Sequence, residues 1–268
     1  MMKGIDISVY QGDINWEKVK GNIDFAIIRA GYGKGNVDKK FKQNITACNK
    51  LGIPCGVYWF SYALNEEMAK AEADYCINLI KPYKIDYPVC FDYEYDSYNY
   101  AKKNGPTPNA NTLMLIAKAF LDRVEKLGYY SMNYTNPDFL SRGFSKLTDR
   151  FDTWLAQWGV STPTKACGIW QYSATGAVPG IVGNVDMDIS YNDYPTIIKN
   201  LSLNKGEENP TPIPDKYESY NQMAKDYYQT AVDVIEGKYS TNTERENLLK
   251  QAGYDPYIVQ KIVNFILK

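Results

Sequence analysis

Eight short runs rich in β-branched and aromatic residues recur along roughly the first 200 positions of the chain. They are Lys3–Ser8, Asp24–Ala30, Pro54–Phe60, Pro88–Asp92, Tyr130–Tyr134, Asp152–Ala156, Gly168–Tyr172 and Val185–Ile189. Helical patterns separate several of them in the first half, over Lys39–Leu51, Asn65–Ile80 and Asn111–Leu127; little helix is readable later. Near-continuous apolar strands alternating with helices indicate parallel strands buried on both faces. Eight of them in that length predict a closed α/β barrel, an irregular TIM-like (β/α) barrel with fewer helices in its second half. An open doubly wound sheet is the competing architecture. Its usual glycine-rich phosphate loop does not follow the first strand.

A break in composition follows. Leu201–Pro214, LSLNKGEENPTPIP, is polar and then proline-alternating, which favours an extended spacer. The reading divides the chain into a barrel over residues 1–200, a linker over 201–214 and a small helical module over 215–268. In the module a first helix is expected over Tyr217–Glu236, with Ala224, Tyr228, Ala231, Val232 and Ile235 at helical spacing and Gly237 ending it. A second starts near Thr241, where Thr241 and Glu244 fit a capping box, and ends at Gly253. A third opens on Asp255 and Pro256 and carries Ile258, Val259, Ile262, Val263 and Ile266 on one face. Three such helices form a small bundle.

Composition excludes several kinds of chemistry. There is no histidine, so Ser-His-Asp and Cys-His nucleophiles and His-containing zinc sites are ruled out. Hydrolysis by this chain must rest on carboxylates, with support from its 24 tyrosines, and no metal or other cofactor is expected. Thirty basic residues against thirty-one acidic ones give a net charge of -1, which argues against a nucleic-acid partner. Five cysteines without a CxxC pair read as buried free thiols. No segment approaches the ~20 apolar residues needed to span a bilayer. MMKGIDISVYQGD has no apolar run of signal-peptide length, so the chain is expected to be made as a cytosolic protein.

The sharpest local pattern is Cys90-Phe91-Asp92-Tyr93-Glu94. Asp92 and Glu94 fall at the C-terminal end of an expected strand, where α/β barrels build their sites. At a spacing of two residues both side chains project to one face, with Cα atoms ~6–7 Å apart. Carboxylates that close repel when both are ionised, so one should hold a proton. A protonated acid beside an ionised one is the pair that glycosidic cleavage requires. Asp6 in the first strand and Asp186 and Asp188 in the last add three more acids. First and last strands are neighbours in a closed barrel, so Asp6 and Asp186 can meet there.

GIDIS near the N-terminus, FDYE after the fourth strand, WLAQW at Trp154–Trp158, IWQYS, and VPGIVGNVDMD ending at Asp188 together resemble glycoside hydrolase family 25. The resemblance covers about residues 3–195. It implies an irregular (β/α) barrel that cleaves the β-1,4 bond from N-acetylmuramic acid to N-acetylglucosamine in bacterial peptidoglycan. Carried over by motif, it implies Glu94 as general acid and Asp92 as the carboxylate that stabilises or orients the reacting sugar. Asp6 and Asp186 match two further acids of the cleft, and Asp188 stands where many members carry Asn. Tyr58, Phe60, Tyr62, Tyr134, Trp158 and Gln171 fall in cleft-lining segments. Other barrel glycosidases, chitinase-like or glucosaminidase, and a catalytically inactive wall-binding protein are the competing readings.

The C-terminal stretch VIEGKYSTNTERENLLKQAGYDPYIVQKIVN is similar to the wall-binding repeat of some phage lysozymes, with Tyr239 where Trp is usual. Lys238, Arg245, Tyr254 and Asp255 are its candidate ligand contacts. Residues 215–268 carry seven basic and eight acidic side chains, so bulk charge is not the means of attachment. A single copy of a repeat usually found in tandem raises the expectation of a homo-oligomer through this module. The absence of a signal peptide fits a phage endolysin that waits in the cytoplasm until it is released onto the wall.

Overall fold

The computed structural model describes residues 1–205, 229–230, 232–240, 242–254, 256, 259–260 and 263. The chain forms two compact units, Met1–Thr211 and Pro212–Lys268.

Among the described residues the first unit contains nine strands: β1 (Met2–Ile7), β2 (Phe25–Tyr32), β3 (Asn36–Val37), β4 (Cys55–Phe60), β5 (Val89–Asp92), β6 (Ser131–Thr135), β7 (Asp152–Ala156), β8 (Ile169–Gly176) and β9 (Val185–Ser190). Their order is β1-β9-β8-β7-β6-β5-β4-β2-β3, and β1 also pairs with β2. Eight strands therefore close a barrel, as the alternating pattern predicts, and β3 is a short flap folded back on β2.

The helices are α1 (Trp16–Val19), α2 (Phe41–Leu51), α3 (Glu66–Ile80), α4 (Tyr95–Asn104), α5 (Ala110–Lys126), α6 (Pro137–Arg142) and α7 (Tyr194–Asn200). Asparagines open four of these helices. Asn65, Asn109 and Asn136 each accept a backbone N–H of the first turn of α3, α5 and α6, and Asn15 does the same for α1. Between β6 and β7 there is only α6 and a 3-10 turn, and no helix separates β7, β8 and β9. Helix is thus concentrated in the first half.

Strand alternation sorts the side chains into two layers. Ile5, Ile7, Ala26, Ile28, Val57, Trp59, Val89, Phe91 and Leu155 point outward and are buried under α2, α3 and α5. Phe25, Ile27, Cys90, Met132, Trp154 and Ile169 fill the interior, with Tyr87 and Tyr194. Phe25 stacks on Tyr87 with ring centroids 4.4 Å apart. A Cβ at Gly4 would come within 2.3 Å of the Phe25 ring, so only glycine lets β1 pass this plug. Asn204 ties the end of the unit to the barrel: its amide donates to the carbonyls of Ile85 and Tyr87, and its side-chain oxygen accepts the Tyr130 N–H.

One expectation is corrected. The last strand is not parallel to the rest: β9 runs antiparallel to both β8 and β1. Residues 177–184, which join β8 to β9, are too few for the crossover of a dozen or more residues that a parallel return requires. The correction matters for the site. In a parallel β9, Asp186 near the strand start would lie at the barrel floor. The antiparallel strand brings it level with Asp6.

In the second unit the helix α8 (Asn242–Gln251) is present, and Ser240 Oγ donates to Glu244 at its start. Val234, Leu249, Val259 and Val263 form a small core flanked by Tyr239 and Tyr254. The first helix turns differently from the expected face: Val234 is buried, while Ile235 is exposed. Val234 and Thr230 lie four residues apart on the covered stripe. Ala224, Tyr228, Ala231, Thr241, Asp255, Ile258, Ile262 and Ile266 fall outside the described residues.

Candidate active site

The acids converge at the C-terminal mouth of the barrel. Asp92 is the last residue of β5, faces inward and is 4% exposed. Glu94 lies two residues on, at the N-cap of α4, with extended backbone (φ −126°, ψ −166°). Extended geometry carries the strand alternation past the end of β5, so Glu94 emerges on the same face as Asp92, closer to solvent. Its backbone N–H donates to Ser97 Oγ, which fixes the turn into α4. Asp6 on β1 faces Asp186 on β9 in direct register, and Asp188 is one inward position deeper, opposite Gly4 on β1 and Gln171 on β8.

These groups are held by few but specific bonds. Gln171 Nε2 donates to Asp6 Oδ2 at 2.8 Å, and Gln171 Oε1 receives Trp158 Nε1–H at 3.2 Å and Tyr134 Oη at 3.4 Å. Trp154 Nε1–H donates to Asp188 Oδ1 at 2.8 Å. Asp188 Oδ2 and Asp92 Oδ1 are buried without a hydrogen-bond partner among the described residues. Tyr134 stands edge-on to Trp154 at 4.7 Å, and Tyr58 does so at 6.2 Å.

Burial of so many carboxyls in one place raises their proton affinity. Asp92 is held well above the usual carboxylate range, first by desolvation and then by the neighbouring Glu94; only Arg29 opposes the shift. Glu94 is raised by desolvation, with Asp186 and Asp96 adding to it, and the bond to Asp92 working against it. Asp6 is raised by burial and then by the charges of Asp188 and Asp186. Burial pushes Asp186 up to about 6 and Asp188 up to about 8. Asp92 and Glu94 are coupled, and burial raises the proton affinity of both, with Asp92 the deeper of the two.

The remaining cleft residues divide into two groups. Tyr58, Tyr134, Gln171 and Trp158 gather around the acids: the charges of Asp6 and Asp92 are felt at the buried Tyr58 and Tyr134 hydroxyls, and Trp158 reaches the cluster through Gln171. Trp158 itself is 55% exposed, a flat face at the rim. Phe60, in register with Asp92, opens an aromatic wall in which Tyr62 meets Phe60 at 5.2 Å, Tyr100 at 5.0 Å and Tyr32 at 6.5 Å. The Tyr62 N–H donates to Glu72 on α3, a buried acid pushed up to about 7 by desolvation. Lys238, Arg245 and Tyr254 belong to the second unit. There Lys238 pairs with Asp233 and Glu236, and Arg245 Nε donates to the Ser240 carbonyl.

Four residues of this site were not singled out from the sequence. Arg29, Asp38 and Tyr10 line one side of the mouth, and Trp154 holds Asp188. A signal did exist for Arg29. An arginine inside the apolar run FAIIRAGY is costly to bury without a partner or a purpose.

Residues 5–181 match the glycosyl hydrolases family 25, and residues 229–267 match the CW_7 repeat. The family match includes Asp6, Asp92 and Glu94 and stops short of Asp186. Lysozyme M1 of Streptomyces globisporus is 31% identical over 198 residues, which are 69% of this chain and 66% of that protein. The lysozyme of Streptococcus phage Cp-7 is 26% identical over 98% of this chain and 69% of its own length. Among solved structures, the modular autolysin LytC from Streptococcus pneumoniae superposes with a TM-score of 0.60 at 33% identity, covering 71% of this chain and 46% of LytC. The chain thus spans about two thirds or less of the length of the first two of these bacterial relatives, the lysozyme and LytC. With an eight-strand barrel, a carboxylate pair where β5 ends and a match over two thirds of its length, the chain belongs to glycosyl hydrolase family 25.

Proposed function

We propose that the protein is a peptidoglycan hydrolase, an N-acetylmuramidase of the phage endolysin type. It cleaves the β-1,4 bond between N-acetylmuramic acid and N-acetylglucosamine, and a C-terminal module holds it to the wall. The observation that carries this reading is the buried carboxyl pair Asp92 and Glu94 where β5 ends, set in a mouth lined by Asp6 and Asp186. Similarity to a phage lysozyme across almost the whole chain, C-terminal repeat included, supports the endolysin assignment. Release onto the wall from the cytoplasm belongs to the same proposal; no helix among the described residues is long and apolar enough to cross a membrane.

In this reading Glu94, at the solvent side of the pair, delivers the one proton of the pair to the leaving glycosidic oxygen. Loss of that proton leaves both Asp92 and Glu94 ionised, beside the sugar ring where positive charge develops. Water supplies the hydroxyl to the cleaved carbon and returns a proton to the pair. Gln171 orients Asp6 and presents Trp158 as a platform for a sugar face. Tyr58 and Tyr134 line the floor of the cleft, and Phe60 and Tyr62 its far wall. Lys238, Arg245, Tyr254 and Asp255 serve the wall contact in the second unit.

Mass spectrometry of digested Gram-positive peptidoglycan tests the bond assignment. New muramic acid reducing ends are expected; new glucosamine reducing ends would reassign the enzyme. Truncation after Asn204, which keeps the Asn204 ties to the segments leading into β5 and β6, tests the module. Turnover of soluble glycan fragments should be unchanged, while clearing of intact walls falls about tenfold as the tether is lost. Equal rates on intact walls would remove the targeting role.

A further inference from the structure

Arg29 is the one cation, among the described residues, whose charge acts on Asp92 in a mouth otherwise lined by acids. It lies in β2 in register with Tyr58, and its side chain is 12% exposed. The guanidinium is fixed from one edge: Nε donates to Asp38 Oδ2 at 2.7 Å. Asp38 is itself buried and anchored, accepting the Val9 N–H at 3.0 Å and the Lys40 N–H at 2.8 Å. Tyr10 and Tyr32 flank the guanidinium, with ring centroids 5.1 Å and 5.8 Å from its central carbon. Both rings are exposed at the mouth. Neither terminal nitrogen of Arg29 has a hydrogen-bond acceptor among the described residues.

An anchored guanidinium with a free fork suits a planar acceptor with two lone-pair sites. Its charge also reaches Tyr58 and Tyr62, which places it between the acids and the aromatic wall. An N-acetylglucosamine chain offers only hydroxyls and acetamides along such a wall. Muramic acid differs from glucosamine by the lactyl ether on O3, which ends in a carboxylate when bare and in an amide carbonyl when it bears a stem peptide.

We propose that Arg29, pinned by Asp38 between Tyr10 and Tyr32, is the residue that selects muramic acid by receiving the carboxyl-derived group of its lactyl arm. This rests on the muramidase reading above and adds the contact that separates peptidoglycan from chitin. Asp38 acts as a positioning residue that presents the fork.

The test is equilibrium binding by NMR titration to full-length protein carrying Glu94→Gln, so that no probe is turned over. The probes are the N-acetylglucosamine–N-acetylmuramic acid disaccharide with a bare lactyl group, the same disaccharide with a dipeptide on the lactyl, and triacetylchitotriose. Arg29→Gln in that background should weaken the muramic acid probes by roughly tenfold or more and leave triacetylchitotriose unchanged. Loss confined to the bare disaccharide assigns the contact to the carboxylate; equal loss with the dipeptide assigns it to the carbonyl. Arg29→Lys keeps the ion pair with Asp38, and with it the fold, but has no fork, and should fall between. Equal weakening of all three probes, or of none, overturns the proposal. Neither outcome bears on the muramidase reading, which stands or falls on the reducing ends released by the wild type.

Discussion

Glu94→Gln should lower kcat on cell walls by about 10³-fold, with KM little changed, because it removes the proton donor and keeps the shape. The backbone N–H of Glu94 donates to Ser97 Oγ, and Gln keeps a side-chain oxygen that can accept the Ser97 N–H in return, so the turn into α4 survives the substitution. Asp92→Asn should cost a similar factor. The two carboxyls are coupled, so removing either one changes the proton affinity of the other. The double variant should therefore be hardly slower than either single one, a non-additivity that separates a working pair from two independent contributors. The wild-type pH profile carries the same signature. Both groups are raised by burial, so the required proton is present at low pH and is lost as pH climbs through the elevated range of the pair. An alkaline limb lying above the ordinary carboxylate range is expected. Rates measured on soluble fragments across pH check all of this, and a Glu94→Gln enzyme within tenfold of wild type would rule out the acid role.

Much of this site could be read in the sequence because strand periodicity and site position are linked. A residue pair two apart at a strand end shares a face, and the C-terminal ends of parallel strands share a mouth, so Asp92 and Glu94 could be placed together from their spacing. Asp6 was readable as an acid with no business in an apolar strand. Asp186 was harder. Its position follows from the sense of β9, and the sense follows from the length of the segment before it, 177–184, which a strand-by-strand reading does not weigh. Arg29, Asp38 and Tyr10 escaped for another reason. They come from β2 and from the turns after β1 and β3, and only closure of the barrel through the β1–β2 pairing brings them together. In the second unit the residue that turns inward, Val234 rather than Ile235, is set by packing against Leu249, Val259 and Val263, and helical spacing alone leaves the phase of the buried stripe free.

Asp188 gives the largest expected effect on stability, and its sign depends on pH. The side chain is fully buried, Trp154 satisfies one oxygen, and the other is unpartnered in a cavity shared with two more acids. Asp6 on β1, one inward position along, interacts with it, as does Asp186 on its own strand, and Gln171 faces it from β8; the Cys90 thiol on β5 and the Tyr172 hydroxyl on β8 also feel its charge. With a proton between them, Asp6 and Asp188 can hydrogen-bond while Asp188 also accepts from Trp154, and every partner is suited. Ionised, it places an uncompensated charge in that buried cluster of acids. Its affinity for the proton is raised to about 8 in the folded chain. In the unfolded chain an aspartate titrates near pH 4. The folded state therefore binds the extra proton over the interval between these values, and stability contributed by this group is complete below about pH 4 and declines as pH rises to about 8. Asn has the outline of a protonated Asp and cannot ionise. Asp188→Asn should melt close to wild type at pH 4 and become the more stable protein at pH 8. After allowing for the proton sharing with Asp6, the gap should be on the order of 3 kcal/mol, or roughly 5–10 °C in Tm. Thermal unfolding of both proteins over this pH range checks it, and a difference infrared spectrum at pH 7 should show a protonated carboxyl band that the variant lacks. Parallel melting curves from pH 4 to pH 8 would mean that Asp188 is ionised in the folded protein and that its charge is balanced in some other way.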